Sequence, residues 1–398
     1  MTPNLSLLAL LPREERLLLL TAGGAGNDVA LRGVVAEGLN WSEVQRLMDW
    51  ERALPVAWSR LKSLGVDASG AEVVAIERLS RVSEFKAMTL EDRLLRLIRG
   101  FEEDGMPVVL LKGAGLALSA YDSFSERPMG DLDVLVAPRH SRRAWEKALA
   151  QGWVWDEHEY PQSHYQAHHH LPPLFDGART GARLELHTAL SLSSHPFSLS
   201  FEEAQAVSKG VTGRGANLAR VLDTEHALIH VAVHYAWGHL ASFGIWRLAR
   251  DVDALARKGV DWDRVAALAR KYRAEFALYW SLRLVDGLSG VAPAPSSLLR
   301  AIAPRKPGWV LRLLERHLAV HAISLNVPCP SDKMRRFMWG LALAPDHTAT
   351  SSERPWDSEP ARRPTVYTGD AAVGRRIRLQ LSSGQAWRRY VRSLLSQS

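Results

Sequence analysis

Cysteine is nearly missing from this chain, because Cys329 is the single one among 398 residues. One cysteine excludes an internal disulfide framework and favours a reducing compartment. Long apolar runs are missing too: no uninterrupted stretch reaches the roughly 20 residues that cross a bilayer. The apolar run at residues 5–11 has no basic residue before it, and Pro12 and charged residues follow at once. We therefore expect no signal peptide, no membrane contact and a cytoplasmic location.

Charge is present in both signs but is unevenly distributed. The formal net charge is +7, and residues 301–398 hold 16 lysines and arginines against 7 acidic residues. The positive excess thus lies in the C-terminal quarter, where it could attract a phosphate-rich partner such as RNA. A solvated helical face rich in arginine explains the same composition equally well.

The order of patterns along the chain predicts an α+β fold, with a small mixed-sheet lobe embedded between mainly helical regions. Helical spacing dominates at both ends of the chain, and short β-rich runs separated by turns occupy the stretch between. A loop is expected at residues 343–370 and a basic helix at 374–395. The predicted regions are helical residues 1–104, an α/β lobe at 105–200, a helical domain at 201–325, and the loop with the basic helix at 326–398.

Capping residues and apolar periodicity predict several helix boundaries. Asn40 precedes a helical apolar period and is a favourable N-cap residue. Thr89 is expected to begin a second helix, since leucines follow it at helical spacing. An amphipathic helix is predicted from Ser141 to Gln151, and another from Glu225 to Leu240.

Two aspartates on one strand form the most informative pattern in the sequence. In the segment 131–136, apolar and other side chains alternate, so Asp131 and Asp133 share one face. Two neighbouring carboxylates repel each other unless a positive group lies between them, and a hard divalent cation is the usual one. The pattern favours phosphoryl or nucleotidyl transfer, although the spacing alone is common and also occurs in glycosyltransferases.

A third carboxylate follows on another predicted strand, at residues 183–187. Alternation there places Arg183, Glu185 and His187 on one face and two leucines on the other. If this strand lies beside the Asp131 strand, three carboxylates converge, as phosphoryl transfer with two metal ions requires. The alternative is a polar strand face in contact with solvent.

A glycine-containing turn lies upstream, between a predicted strand at 107–111 and a helix. Lys112 and Gly113 belong to this turn, whose backbone N–H groups could bind phosphate oxygens at the helix N-terminus. A plain strand-to-helix turn has the same composition. Arg127 precedes the aspartate strand and could bind a phosphate through two hydrogen bonds, or pair with Glu126 or Asp122.

With these motifs the chain resembles a family of bacterial nucleotidyltransferases of the DNA polymerase beta type, whose own substrates are mostly unknown. The resemblance covers roughly residues 90–260. It rests on Leu111-Lys112-Gly113, Tyr121, Arg127, the strand 131–136, the tract 168–173 with its three histidines, Leu184-Glu185-Leu186-His187, the segment 228–234 and the segment 246–251.

The resemblance implies a role for each matching residue. Asp131 and Asp133 would hold the metal ions, and Glu185 would be the third carboxylate, nearest the attacking hydroxyl. Gly113 would lie in the loop that holds the nucleotide phosphates, with Lys112 beside it. We assign nucleotide binding to these two residues together with Arg127 and His187.

The expected function is a nucleotidyltransferase that depends on Mg²⁺, with Mn²⁺ as the alternative ion. It would move a nucleoside monophosphate from a nucleoside triphosphate such as ATP to an acceptor and release pyrophosphate. The acceptor could be a small molecule, a protein side chain or an RNA end. Where the wider superfamily has Gly-Ser or Gly-Gly, this chain has Gly113-Ala114, so an inactive nucleotide-binding regulatory or scaffold protein is the alternative.

Histidine patterns raise one further alternative. His226, His230 and His234 are spaced four apart on a predicted helix, and two imidazoles at that spacing can bind zinc. The glutamate of a metalloprotease motif is missing between them, so a zinc hydrolase is the weakest of the hypotheses. Of the tract His168-His169-His170, we expect no more than two members to line the cleft.

Overall fold

In a computed structural model, the described residues are 5–66, 70–166, 168–176, 180–191, 197–211, 219–323 and 332–343, with 387, 388, 390, 391 and 394. The predicted loop at 343–370, apart from Leu343, and most of the predicted helix at 374–395 lie outside these residues. The described part combines helices with one mixed sheet, which confirms the α+β class.

Fifteen α-helices and seven strands lie in the described residues. None of these helices is both long and apolar enough to span a bilayer. The helices are α1 (Arg13–Leu20), α2 (Asp28–Ala36), α3 (Trp41–Trp50), α4 (Leu54–Ser63), α5 (Ala71–Glu103), α6 (Lys112–Ser119), α7 (Ser141–Ala150), α8 (Phe201–Ala206), α9 (Thr224–Val233), α10 (Ile245–Arg257), α11 (Trp262–Lys271), α12 (Glu275–Ser289), α13 (Ser296–Ile302), α14 (Gly308–Val320) and α15 (Asp332–Leu343). The strands are β1 (Val108–Leu110), β2 (Asp131–Val136), β3 (Val154–Trp155), β4 (Leu174–Phe175), β5 (Arg183–His187), β6 (Ser208–Gly210) and β7 (Ala219–Leu222).

The chain divides into two compact units, each built from separate stretches of sequence. One unit contains Met1–Glu51, Ala232–Asp253 and Ala269–Ser398, and the other contains Arg52–Val231 and Ala254–Leu268. The second unit contains the sheet and the predicted site residues. The expected division into four consecutive regions stays a prediction.

The sheet has the strand order β3-β4-β5-β2-β1-β7-β6. Two of its pairs are parallel, β2 with β5 and β1 with β7, and the others are antiparallel. The two strands that carry the predicted carboxylates are therefore direct neighbours near the middle of the sheet. This adjacency is the condition on which the expected convergence of carboxylates depended.

One face of the sheet is covered by an apolar core. Leu132, Val134 and Val136 of β2 and Leu184 and Leu186 of β5 are buried in it. The long helix α5 contributes most of the side chains that pack against this face of the sheet, and α7 contributes alanines. Strict alternation then leaves the opposite face of β2 and β5 to the polar side chains. The hydrophobic layer thus fixes which way the carboxylates point. The opposing side chains include Leu90, Leu94, Leu97, Phe101, Ala144 and Ala148.

Some predicted boundaries were wrong. Thr89 does not begin a helix: α5 starts at Ala71, and the Thr89 hydroxyl donates to the carbonyl of Phe85 within the helix. A threonine can satisfy its hydroxyl against the preceding turn, so it is not necessarily a cap. Strands β6 and β7 lie within the stretch 201–325 that was predicted to be helical. They are three and four residues long, too short for a clear alternation signal.

The predicted helix from Glu225 to Leu240 ends earlier than expected. Helix α9 ends at Val233 and a π-helical turn, His234–Gly238, follows. The wider turn changes the spacing of side chains, so the regular α-helical spacing ends at Val233. By contrast, the predicted Asn40 cap is confirmed, since its side chain accepts a hydrogen bond from the Glu43 N–H.

The junction between β1 and α6 is tightly packed. Lys112, the first residue of α6, has a φ of 45°, in the left-handed region that a residue with a side chain rarely adopts. One turn further on, a Cβ atom on Gly115 would lie 2.5 Å from the backbone oxygen of Leu110. A Cβ on Gly113 would instead meet Met129 and Arg127 at 3.4–3.6 Å, an ordinary contact distance.

These distances predict that alanine substitutions at the two glycines of α6 have different effects on stability. Gly115→Ala should lower the free energy of unfolding by about 1–3 kcal/mol, because the helix must move away from β1. Gly113→Ala should change it by less than about 1 kcal/mol, since alanine is favoured in a helix and has room here. Urea unfolding of both variants measures the difference, and equal effects would contradict the packing argument.

Two buried histidines lie one turn apart at the C-terminal end of α14, in the other unit: His317 is in the helix and His321 is its C-cap residue. His317 Nδ1 lies 2.8 Å from the Tyr390 hydroxyl, and His321 Nδ1 donates to the His317 carbonyl at 2.6 Å. Burial disfavours the charged imidazolium and lowers the pKa of His317 to about 3 and that of His321 to about 4. Both rings are therefore neutral in the folded protein at pH 7.

The lowered pKa of His321 predicts a pH-dependent stability. The unfolded chain binds this proton below about pH 6.5, whereas the folded state resists it until about pH 4. The stabilising contribution is thus complete above pH 6.5 and is lost as the pH falls. His321→Gln should make the loss of stability between pH 7 and 4.5 shallower by about 2 kcal/mol in urea unfolding. The exposed control His158→Gln should retain the wild-type slope; identical slopes in all three proteins would contradict the assignment.

Candidate functional site

The register between β2 and β5 sets the geometry of the site. Because these strands are parallel and in register, Asp133 is paired with Glu185, and Asp131 with Arg183. Side chains at paired positions point to the same face of a sheet. The carboxylates of Asp133 and Glu185 therefore lie side by side, opposite the apolar core.

Two basic side chains meet at the carboxylate of Asp133. The ammonium of Lys112 donates to Asp133 Oδ1 at 2.7 Å, and His187 Nε2 donates to the same oxygen at 2.9 Å. Asp133 is 2% exposed and His187 is fully buried. Charge-assisted hydrogen bonds of this kind are among the strongest in proteins, and burial makes each partner depend on the others.

Glu185 completes this group from the neighbouring strand. Arg183 donates to Glu185 Oε1 at 2.7 Å, and His187 Nε2 lies 3.6 Å from Glu185 Oε2. The potential ligand atoms of Asp133, Glu185 and His187 all lie within 4.8 Å of one another. Among the described residues, this is the group of histidine and acidic side chains that could hold a metal ion.

Asp131 lies beside this group but has a different partner. Its Oδ1 accepts a hydrogen bond from Arg52 at 3.3 Å, and its side chain is 39% exposed. Although burial works against the charged form, the Arg52 guanidinium lowers the pKa of Asp131 to about 2. The two aspartates thus share a strand face but differ in burial and in counter-charge. Sequence analysis predicted Asp131 and missed Arg52, which lies 79 residues away along the chain.

The charges of the site stabilise one another. Burial opposes the charged form of Lys112, but the carboxylates of Asp133 and Glu185 raise its pKa above the usual range. Burial likewise opposes ionisation of Glu185, yet the hydrogen bond from His187 and the charge of Arg183 hold its pKa well below the usual value. Hydrogen bonds to Asp133 and Glu185 raise the pKa of His187 in turn, against the effect of burial. The charged forms of Lys112, Glu185 and His187 are thus each favoured by oppositely charged neighbours.

Two of the basic residues are held on strained backbone. Lys112 has a φ of 45° and Arg52 a φ of 55°. Left-handed conformations cost a non-glycine residue about 1–3 kcal/mol and tend to occur at functional sites. Gly130 makes room for Arg52, because a Cβ there would lie 2.5–2.7 Å from the guanidinium. The fold thus directs both cations toward the two aspartates at a local conformational cost.

Histidine rings form a layer next to His187. The ring centroids of His169 and His170 lie 5.2 and 5.4 Å from that of His187. Burial lowers the pKa of His169 to about 2 and that of His170 to about 4. Backbone pairing between His170 and His187 fixes this layer against β5. Neutral rings on this side support the buried imidazole of His187 without adding positive charge.

The predicted phosphate loop lies at the β1–α6 junction. Gly113 faces Met129 and the Arg127 guanidinium, and Arg127 also donates to the Pro128 carbonyl at 3.2 Å. Lys112, Gly113 and Arg127 are therefore neighbours in space. The N-terminus of α6, with its partial positive charge, is at the same place.

A small pocket opens beside Lys112. It lies among β1, α6, β7 and α9, and His230 is one of its lining residues. The remaining lining residues are Leu110, Lys112, Gly115, Leu116, Ser119, Val221, Leu222, Ala227 and Val231.

The histidines of α9 have structural partners. His226 Nδ1 lies 2.7 Å from Asp223 Oδ1, and the same oxygen accepts from the His226 N–H at 2.9 Å. Asp223 also pairs with Arg264 at 2.6 Å. In the described part of the chain, no metal-binding group includes His226 or His230. The arrangement fits a capped helix end better than a zinc site.

The donor atoms fit a divalent cation. Carboxylate oxygens are the preferred ligands of Mg²⁺ and Mn²⁺, and an imidazole nitrogen suits Mn²⁺ better than Mg²⁺. Asp133 and Glu185 supply oxygens from adjacent strands, and His187 supplies a nitrogen. A bound ion would polarise phosphoryl oxygens and neutralise charge that develops during transfer.

One protein family matches this chain. The sequence model of a family described as uncharacterised nucleotidyltransferase matches residues 37–290, a segment that contains every site residue from Arg52 to His187. The match is broader than the motifs alone indicated. Comparison with curated proteins and with solved structures gives no match.

The different surroundings of the two aspartates predict different effects on stability. Asp133→Asn leaves Lys112 and His187 without their shared carboxylate and should cost about 3 kcal/mol of unfolding free energy. Asp131→Asn should cost about 1 kcal/mol or less, because its pair with Arg52 is partly exposed. Urea unfolding in EDTA measures both, and a larger loss in Asp131→Asn would contradict this account of the charges.

Proposed function

Because the chain belongs to the family of uncharacterised nucleotidyltransferases, we propose that it moves a nucleoside monophosphate from a nucleoside triphosphate to an acceptor. The observation that carries the proposal is the in-register pairing of β2 and β5, which sets Asp133 beside Glu185. Asp131 lies on the same face of β2, two residues before Asp133, so three carboxylates lie close together on this face. Such a set is what metal-assisted phosphoryl transfer requires.

The proposed reaction is an in-line displacement at the α-phosphorus. The acceptor oxygen forms a bond to that phosphorus, the bond to the bridging oxygen breaks, and pyrophosphate leaves with the electron pair. Glu185 helps to remove the proton of the acceptor hydroxyl, which passes on to solvent water. Positioning and electrostatic stabilisation supply most of the rate enhancement in such reactions.

Each predicted site residue has a proposed task. Asp131, Asp133 and Glu185 would hold divalent ions, Mg²⁺ or Mn²⁺, which would supply positive charge to the reacting phosphate. Lys112 and Arg127 bind phosphate oxygens beside the N-terminus of α6. Their proximity to Gly113 supports this assignment. His187, with Nε2 toward Asp133 and Glu185, orients both carboxylates or joins them as a ligand.

For the donor and the acceptor of the reaction we propose a chemical class. The donor is a nucleoside triphosphate such as ATP. The acceptor is a small molecule, a protein side chain or an RNA end, and the pocket beside Lys112 offers it a place between α6 and α9. A role for the basic C-terminal quarter in RNA binding would be lost as salt rises.

A second candidate is a protein that binds nucleotide without turnover. The buried Ala114 motivates it, since this position has no hydroxyl for a terminal phosphate. The pairing of each carboxylate with a basic side chain also favours it, because such a site is stable without metal. Saturable binding of nucleotide by calorimetry, without pyrophosphate release for any acceptor, would identify this candidate.

Turnover of α-³²P-labelled nucleoside triphosphates with Mg²⁺ or Mn²⁺, against a panel of acceptors, tests the proposed enzyme. Glu185→Gln and Asp131→Asn should each lower the transfer rate by at least about a hundredfold, because each removes a charge that positions a reacting group. Both should remain folded by circular dichroism. The matched control Glu146→Gln, at an exposed position of α7, should transfer at the wild-type rate. Full transfer in both site variants would contradict the proposal.

A further inference from the structure

Lys112 occupies an unusual place for a residue assigned to phosphate binding. Its ammonium contacts Asp133 at 2.7 Å, and its side chain is 16% exposed. Asp133 is one of the carboxylates that would hold a metal ion. A side-chain cation therefore contacts a carboxylate to which the proposed function assigns a metal cation.

We infer that Lys112 is an internal counter-ion that exchanges partners: it neutralises Asp133 in the free protein and moves to a triphosphate oxygen when the metal-bound nucleotide arrives. This inference rests on the proposed function and deepens it. No covalent bond changes in the step. The exchange breaks the ion pair between Lys112 and Asp133. A metal–carboxylate contact and a lysine–phosphate pair form in its place, so each charged group keeps a partner of opposite charge.

The backbone at Lys112 supports the exchange. Its left-handed φ of 45° is costly and directs the side chain back across the β1–α6 junction to β2. The backbone of this junction is held to the same strand, because the Leu111 N–H donates to the Asp133 carbonyl at 3.0 Å. A lysine here has a flexible four-carbon stem on a fixed base. The ammonium can change partner while the backbone stays in place.

The surroundings offer the ammonium a second position. Lys112 is the first residue of α6, whose N-terminus attracts phosphate, and the small pocket beside it has Lys112 in its wall. Asp133 keeps a second donor, His187 Nε2 at 2.9 Å, when Lys112 leaves. The buried carboxylate of Asp133 therefore keeps a hydrogen-bond partner during the exchange.

The exchange makes metal and nucleotide binding depend on each other. A metal ion alone must compete with a resident ammonium, and a nucleotide alone must draw Lys112 away from Asp133. When the two arrive together, each removes the obstacle to the other. Coupling of this kind is reciprocal, so nucleotide must tighten metal binding as much as metal tightens nucleotide binding.

Two substitutions at one position test the inference. Lys112→Met keeps most of the side-chain volume without the charge, and Lys112→Gly removes the side chain and relieves the strained φ. The second variant therefore keeps the test valid if the first does not fold. Lys147→Met is the matched control, since it removes a lysine that pairs with Asp104 and Glu103 on α5 and its C-terminal turn.

Mn²⁺ binding to the nucleotide-free protein is measured by the paramagnetic resonance signal of the unbound ion. Like charges about 4 Å apart at an effective dielectric constant of about 20 repel enough to change a binding constant by about a thousandfold. We expect at least tenfold tighter Mn²⁺ binding in Lys112→Met and Lys112→Gly than in the wild type and in Lys147→Met. Unchanged or weaker binding in both Lys112 variants would overturn the inference.

Nucleotide binding is measured by calorimetry with α,β-methylene nucleoside triphosphates, once with Mn²⁺ and once in EDTA. Mn²⁺ should tighten nucleotide binding at least tenfold more in the wild type than in the two variants, because only the wild type has an ammonium that metal and nucleotide must displace together. An equal effect of Mn²⁺ in the wild type and both variants would also overturn the inference. If the wild type binds none of these nucleotides, the proposed function fails, and the Mn²⁺ experiment alone then decides whether Lys112 is a resident counter-ion.

Discussion

The in-register parallel pairing of β2 with β5 is the constraint on which the rest of the site depends. It sets Asp133 beside Glu185 on a sheet face whose opposite side is fixed by a hydrophobic core. Two adjacent buried carboxylates are unfavourable without positive charge. Lys112, His187 and Arg183 supply that charge from three directions, at 2.7, 2.9 and 2.7 Å from the nearest carboxylate oxygen. The hydrophobic core therefore determines the sheet face on which the carboxylates lie, and these carboxylates in turn require basic side chains at the same face.

This dependence accounts for the local strain of the site. Lys112 and Arg52 both adopt left-handed backbone conformations, and each donates to one aspartate of β2. A fold under selection for stability alone would place glycine at such positions. Keeping a basic side chain there costs conformational energy, and the ion pairs with Asp133 and Asp131 offset part of that cost. Such a site of paired acids and bases suits a metal cation together with an anionic nucleotide. The cation can replace the basic side chains as the partner of the carboxylates, and the nucleotide can replace the carboxylates as the partner of the basic side chains.

The sequence predicted the parts of this arrangement that follow from local pattern. Alternation identified β2 and β5 and the polar face of each, so Asp133, Glu185 and His187 could be selected without coordinates. Arg52 could not, because its contact with Asp131 spans 79 residues and no local pattern marks it. Strand β7 was missed because four residues give too little periodicity, although it pairs with β1 in the sheet. The early end of α9 was missed as well, since a π-helical turn interrupts a sequence that keeps its helical spacing.

We propose that these carboxylates bind divalent ions together with a nucleoside triphosphate. A crystal structure of the chain with Mn²⁺ and an α,β-methylene nucleoside triphosphate tests it most directly, because the anomalous signal locates the metal independently of the nucleotide. We expect manganese about 2.2 Å from carboxylate oxygens of Asp133 and Glu185, with the α-phosphate bound to the same ion. Manganese and triphosphate found elsewhere, with Lys112 still on Asp133, would contradict it.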